Sequence, residues 1–393
     1  MNKAIIAAIG LLGAVSMGAR AETPQFKVDP YWPKPFPNNW TIGEIGGLTV
    51  DDQDNVWLIH RPGTLTARET RAGHNPPYAP CCAAAPPVIA LDKAGNVVHA
   101  WGGPGQGFDW PNSEHGVAVD PKGNVWILGN GNGTRQTQAG NRGRGPAETA
   151  GPQGNPDGMA IKFSKDGKFL MQIGHRDPPK GSLDINQFNK AAKVVFDAAA
   201  NEAFFADGYG NRRIIVFDMD TGKFKRMWGA YGNKPNDDPV QTSDAVHPDK
   251  TKPLPQQFNT VHCVAIAKDG LIYVCDRQNN RIQVFKKDGT FVSEFIYPGS
   301  SFGGTPGRVA DMVIWPDKGQ SYIIIDDGNY EMVRIVDRFT GDPVTSFGRP
   351  GNYAGQFNRL HAIAVDSDGS IFAGEAGSHR VQKFLAIVGA PTK

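Results

Sequence analysis

Three of the nine histidines in the chain, His115, His262 and His361, open near-identical strings: "HGVAVD", "HCVAIA" and "HAIAVD". An imidazole just ahead of a strand of alternating apolar residues has no packing task. Three that converge supply nitrogen donors for a zinc-type ion, with positions left open for water or substrate. Two arginines and a tyrosine stand at a second recurring place, the end of the following strand: Arg61 in "IHRPG", Tyr209 in "DGYGN" and Arg277 in "DRQNN". A guanidinium holds a carboxylate through paired N–H bonds. A tyrosine beside a metal and a cation loses its proton more readily and can act as a base. The competing readings are a polar, water-filled channel mouth for the histidines and a loop-packing aromatic for Tyr209.

The elements that must position these groups repeat. Strand, tight turn and strand recur at 46–61, 115–130, 192–217, 262–285, 311–336 and 361–384. Each unit adds a polar corner and a third strand, and most then have a fourth, such as 224–229, 291–296 and 344–349. Short alternating strands between turn residues, at a period of about 50 residues, predict an all-β, six-bladed β-propeller. The sixth unit has no fourth strand after Phe384, and "QFKVDPYW" (25–32) is the segment expected to pair there and close the ring. Closure leaves few unpaired edges.

Aligned on the first strand, the six units place Gly46, His115, Ala192, His262, Asp311 and His361 at one phase. Histidine thus falls on alternate blades, about 120° apart in a six-fold ring, and the innermost strands line the axis. Asp311 is expected to serve as a further ligand or to accept an imidazole N–H. The corners that carry Arg61, Tyr209 and Arg277 share that face, as do insertions at 62–87, 131–157 and 231–257. Such insertions would wall or cap a site.

The bulk properties narrow the function classes. A net charge of +2 and no run of basic residues interleaved with aromatics argue against a nucleic-acid partner. A lysine, a short apolar run and Ala19-Arg20-Ala21 at the N-terminus read as a signal peptide cut before Glu22. Residues 22–393 would then form one propeller domain in the periplasm or the medium, with no membrane span in the mature form. Export permits disulfides. Cys263 and Cys275 flank a hairpin turn symmetrically and should lie opposite each other, as a disulfide or as two buried thiols, whereas the pairing of Cys81 and Cys82 is not legible. No nucleophile elbow, phosphate-binding loop or dinucleotide fingerprint occurs, and "GGPGQGF" (102–108) reads as an inter-blade loop.

The wording "DRQNNRIQVF" (276–285) resembles the NHL repeat. That resemblance implies structural roles for Asp276, Asn280 and Arg281 in bonding backbone at the corner. The wider set of motifs resembles the peptidyl-α-hydroxyglycine α-amidating lyase family, from about Trp32 to Phe384. "EHGVAVD", "VHCVAI" and "LHAIAV" are similar to its zinc-histidine strands, which implies zinc on His115, His262 and His361. "IHRPG", "DGYGNRRIIVF" and "DRQNNRIQVF" are similar to its catalytic corners, which implies catalytic roles for Arg61, Tyr209 and Arg277. The implied reaction cleaves a hydroxyglycine-extended peptide, or a related small molecule, into an amide and glyoxylate. Ala362 stands where the family has an aspartate that helps bind calcium, which puts calcium in doubt, and Glu114, Val261 and Leu360 stand where it has prolines. Two other classes compete: a metal-dependent propeller hydrolase or lactonase, and a propeller that binds without catalysis.

Overall fold

The computed structural model describes residues 22–133, 154–239, 255–297 and 309–391. The signal-peptide reading at 1–21 and the middles of two insertions, 134–153 and 240–254, lie outside them.

Six four-stranded antiparallel sheets form the blades. Blade 1 comprises Glu44–Val50, Val56–Arg61, Val88–Leu91 and Val97–Trp101. Blade 2 comprises Glu114–Val119, Val125–Gly129, Ala160–Phe163 and Phe169–Ile173. Blade 3 comprises Lys193–Asp197, Glu202–Asp207, Arg213–Asp218 and Phe224–Trp228. Blade 4 comprises Val261–Ile266, Ile272–Asp276, Arg281–Phe285 and Phe291–Ile296. Blade 5 comprises Asp311–Ile314, Tyr322–Asp327, Met332–Asp337 and Pro343–Phe347. Blade 6 takes Leu360–Val365, Ile371–Glu375 and Arg380–Val388, and Gln25–Asp29 pairs antiparallel to the last of these as its outer strand. Each first strand contacts the first strands of both neighbouring blades, and blade 6 meets blade 1, so the ring is closed.

Alternation explains the packing. Residues on the two faces of each inner pair bury against the adjoining blades, as where Trp126 and Leu128 of blade 2 pack on Val194 and Phe205 of blade 3. Each fully buried side chain of this size contributes about 1.5–3 kcal/mol. The first turns are set by aspartates. Asp51 and Asp120 each accept from backbone N–H groups of the turn and from a tryptophan Nε1 on the next strand, at 2.9 Å from Trp57 and 3.1 Å from Trp126.

The corner signature proves structural. Arg281 Nε donates to Asp276 Oδ2 at 2.8 Å, and the Asn279 amide joins it at 2.7 Å. Asn280 takes the left-handed conformation (φ 50°) that turns the chain into the third strand. Asp276 Oδ1 accepts the N–H of Asn259 at 2.7 Å, which ties the corner to the connection entering the blade. Blade 3 repeats the device with Asp207, Asn211 and Arg213.

Cys263 and Cys275 are opposed on neighbouring strands and disulfide-bonded, and Cys81 and Cys82 form a vicinal disulfide in the first insertion. No helix among the described residues is long and apolar enough to cross a membrane.

Candidate metal centre and its rim

Each histidine is aimed by a β-bulge. In blade 4 Val261 pairs with Asp276 and Cys263 with Cys275, so His262 is the extra residue, outside the ladder. The same slip falls between Leu360 and Ala362 in blade 6 and between Glu114 and Val117 in blade 2. A bulge re-aims a side chain that strict alternation would send into an inter-blade face. The imidazoles converge: ring centroids lie 5.0 Å apart for His115 with His262 and with His361, and 5.7 Å for His262 with His361. One nitrogen from each falls within 4.8 Å of the others.

Hydrogen bonds fix two of the tautomers. His115 Nδ1 lies 3.1 Å from the Ala192 carbonyl and His262 Nδ1 2.5 Å from the Ala310 carbonyl. A carbonyl only accepts, so each Nδ1 carries the proton and each Nε2 presents a lone pair, the arrangement of metal-bound histidines. His361 Nδ1 is buried and has no hydrogen-bond partner. Burial, then the charge of Arg61, pushes the His115 imidazole down to about 3. Burial followed by Arg277 does the same for His262, and burial followed by His115 for His361. All three are therefore neutral near pH 7, the state that binds a cation.

Tyr209 faces this pair of lone pairs. Its hydroxyl lies 3.0 Å from His115 Nε2 and 2.9 Å from His262 Nε2, and Arg277 Nη1 donates to it at 3.4 Å. One hydroxyl proton cannot serve two acceptors, so one contact is lone pair against lone pair unless a cation sits among the three atoms. The donor set fits a divalent ion. Gly208 and Gly210 permit the approach, since a Cβ on Gly208 would stand 2.1 Å from the Val261 nitrogen and one on Gly210 2.1 Å from the Asn189 side chain. The Arg277 guanidinium carbon lies 5.3 Å from the Tyr209 ring centroid, and its Nε is buried without a partner. Arg61 is fastened beside His115, with Nε on the Glu114 carbonyl at 2.8 Å and Nη1 on Glu44 Oε2 at 2.9 Å.

Asp311 is a correction. Its carboxylate takes neither role expected of it: Lys193 Nζ lies 2.5 Å from Oδ1, and the N–H groups of Met312 and Ile363 occupy Oδ1 and Oδ2. The strand it opens, Asp311–Ile314, pairs in register from Asp311 onward, so Asp311 lines the opening without the bulge that aims the histidines. Below the histidines the opening meets a channel of mixed lining, with Leu48, Val117, Val264, Met312 and Ile363 beside Lys193 and Gln320.

The structure brings His115, His262, His361, Tyr209, Arg277 and Arg61 to one mouth. It adds two groups that sequence reasoning passed over, Glu44 and Arg359, which form an ion pair at 3.2 Å. Part of the first insertion is fixed at this face. His60 accepts the Gly43 N–H at Nδ1 (3.1 Å), so its Nε2 donates to the Pro86 carbonyl (3.0 Å).

The depressed imidazoles give a pH dependence with a definite sign. Unfolded histidine titrates near 6.5. Between that value and about 3 the unfolded chain holds a proton on His115 that the folded chain refuses. Stability of the metal-free protein is therefore whole above pH 6.5 and falls as pH drops toward about 3. From pH 7.5 to 5 the loss is about 2 kcal/mol for His115, with the same sign for the other two. Urea midpoints of chelator-treated protein at the two pH values measure it, and equal midpoints would refute the assignment.

Known proteins were compared against this geometry. The NHL repeat model matches residues 258–285. A peptidylglycine alpha-amidating monooxygenase of Rattus norvegicus is 29% identical over 226 residues, 56% of this chain and 20% of the rat protein. Peptidyl-alpha-hydroxyglycine alpha-amidating lyase 1 of Drosophila melanogaster is 26% identical over 377 residues, 90% of this chain and 58% of its own. A probable lyase of the same description from Caenorhabditis elegans is 24% identical over 342 residues, covering 86% and 82%. Similarity to amidating lyases at about a quarter identity thus runs over most of the chain, while the chain spans only a fifth of the rat relative's length.

Proposed function

We propose that this chain is a zinc-dependent carbon–nitrogen lyase that splits an N-acyl-α-hydroxyglycine into a carboxamide and glyoxylate. The observation that carries the reading is the Tyr209 hydroxyl held between the Nε2 atoms of His115 and His262, with Arg277 against it. The descriptions of the fly and worm relatives support the substrate class. Three imidazoles select zinc over calcium or magnesium. Bound by His115, His262 and His361, zinc would polarise a substrate oxygen as a Lewis acid.

The chain's own residues do the remaining work. Arg277 offers a guanidinium whose Nε has no partner, and with Arg61 it holds the substrate carboxylate and keeps it in place as glyoxylate forms. Tyr209 acts as the base in its phenolate form and takes the proton of the α-hydroxyl. The O–H electron pair becomes the second C–O bond, the C–N bond breaks, and its pair leaves on the amide nitrogen. That nitrogen needs one proton, and Tyr209 holds the one just removed, so the residue ends as it began. No oxidant or further reactant enters. The two disulfides and the similarity fit a protein that works outside the cytoplasm, in the periplasm or the medium.

The test is glyoxylate release from N-benzoyl-α-hydroxyglycine by zinc-loaded protein. Tyr209→Phe keeps the ring and removes the base, and should slow release by about 10²–10⁴-fold. No release by the wild type with zinc bound, or equal release by the variant, would sink the reading.

A further inference from the structure

Three arginines stand at the mouth, one more than the lyase reading uses. Arg61, Arg277 and Arg359 surround the histidines, and a single acid, Glu44, serves two of them: Oε2 accepts from Arg61 at 2.9 Å and Oε1 from Arg359 at 3.2 Å. Arg277 has no ion pair among the described residues, and its buried Nε has no partner at all. Lys193 and Asp311 pair with each other, and Glu331 directs its two oxygens to the backbone N–H groups of Arg359 and Leu360, at 3.0 and 2.9 Å. Asp326, buried beside Arg277, is pushed well up toward its neutral form by burial and by Asp311. With the imidazoles neutral, the three guanidinium groups thus meet two carboxylates, Glu44 and Glu331, before any metal is counted.

Arg359 is the unusual member. Its backbone is left-handed, with φ 54°. An arginine there costs about 1–2 kcal/mol that glycine avoids. The Glu331 bracket holds the strained turn in place. The residue lies two positions before His361, yet its side chain is 59% exposed where that of Arg61 is 7% exposed. It therefore stands at the entrance, and only one of its terminal nitrogens is engaged by Glu44. Lys190 and Thr260, at the equivalent places of blades 3 and 4, are left-handed too (φ 64° each), so the turn belongs to the repeat, and what is particular to blade 6 is the cation it carries to the entrance.

We infer that the substrate carries a second anionic group on its acyl part and that Arg359 selects for it, so that the preferred substrates are acidic N-acyl-α-hydroxyglycines. This rests on the lyase reading above, in which Arg277 and Arg61 hold the glycine carboxylate. Arg359 then meets the distal acid, displacing or sharing Glu44.

An isosteric pair tests it. N-succinyl- and N-butyryl-α-hydroxyglycine differ by a carboxylate in place of a methyl group. The zinc-loaded wild type should show kcat/KM about tenfold or more higher for the succinyl compound, the value of one added charge-assisted bond. Arg359→Met should bring the ratio close to one, and Arg359→Lys should retain part of it, with thermal midpoints confirming that both fold. A wild-type ratio near one, or a ratio unchanged in Arg359→Met, overturns the inference. If neither compound yields glyoxylate, the lyase reading fails by itself. Calorimetry with succinate and butyrate then decides the present point: tighter succinate binding that Arg359→Met abolishes supports it, and equal binding overturns it.

Discussion

Replacing His262 by alanine should strip the metal from the purified protein and lower glyoxylate release by about 10³-fold, near 4 kcal/mol of transition-state stabilisation. Two neutral imidazoles would remain, and two monodentate nitrogens hold a divalent ion far less firmly than three. The ring should survive, because His262 sits on the bulge and contributes no ladder pairing: its neighbours Val261 and Cys263 carry the register to Asp276 and Cys275. What the fold loses is one bond, from Nδ1 to the Ala310 carbonyl. Tyr209 changes too. With His262 gone its hydroxyl faces His115 alone, so one proton meets one acceptor and the cation has lost both a ligand and its electrostatic reason. Metal content after dialysis, read with kcat/KM, measures the effect. His175→Ala, at an exposed histidine just past the outer strand of blade 2 and paired with Asp109, is the control. One zinc per chain retained by His262→Ala, with activity within about tenfold of wild type, would show that the triad is not the metal site.

That site was legible because the fold is a repeat. A single histidine ahead of a strand says little, but one phase copied over six units places His115, His262 and His361 on the axis with no structure in hand. The same alignment contained more than was taken from it. Two residues ahead of the histidine phase the column reads Glu44, Ser113, Lys190, Thr260, Val309 and Arg359, and its two ends are the rim ion pair. What the repeat could not show is the bulge. Alternation assigns each residue to a face, and an inserted residue breaks that rule without changing the composition. The role of Asp311 stayed open for this reason: it has the right phase, but its strand has no bulge, and Lys193 claims the carboxylate. At the blade 4 corner both asparagines suit the pattern, and only the structure shows that Asn279 bonds Asp276 while Asn280 makes the turn. Cys263 and Cys275 were placed opposite each other by register, but register cannot state whether two facing thiols are oxidised.

Deleting residues 22–29 should destabilise the whole ring, not blade 6 alone. Gln25–Asp29 is the outer strand of that blade and pairs with Lys383 through Val388. Its apolar side chains face inward. Phe26 packs edge-on to Trp315 of blade 5 at 5.5 Å and against Phe347 at 5.1 Å, and Val28 joins the same cluster. Loss of two mostly buried apolar side chains and a ladder of backbone bonds amounts to about 5 kcal/mol. That is a large share of what holds an ordinary domain together. The effect spreads because a ring has no free end: blade 6 contacts both blade 5 and blade 1 through its first strand, so loosening it leaves two inter-blade faces without a wall. The strand Arg380–Val388 would also become an exposed edge nine residues long, carrying Ile387 outward at 58% exposure. Edges of that kind recruit other strands. The expected result is a melting midpoint lower by about 5–10 °C together with concentration-dependent association. Scanning calorimetry at two protein concentrations, followed by sedimentation, measures both. A truncated protein that melts with the full chain and stays monomeric would mean that blade 6 is closed by its own three strands, and that the N-terminal strand only decorates it.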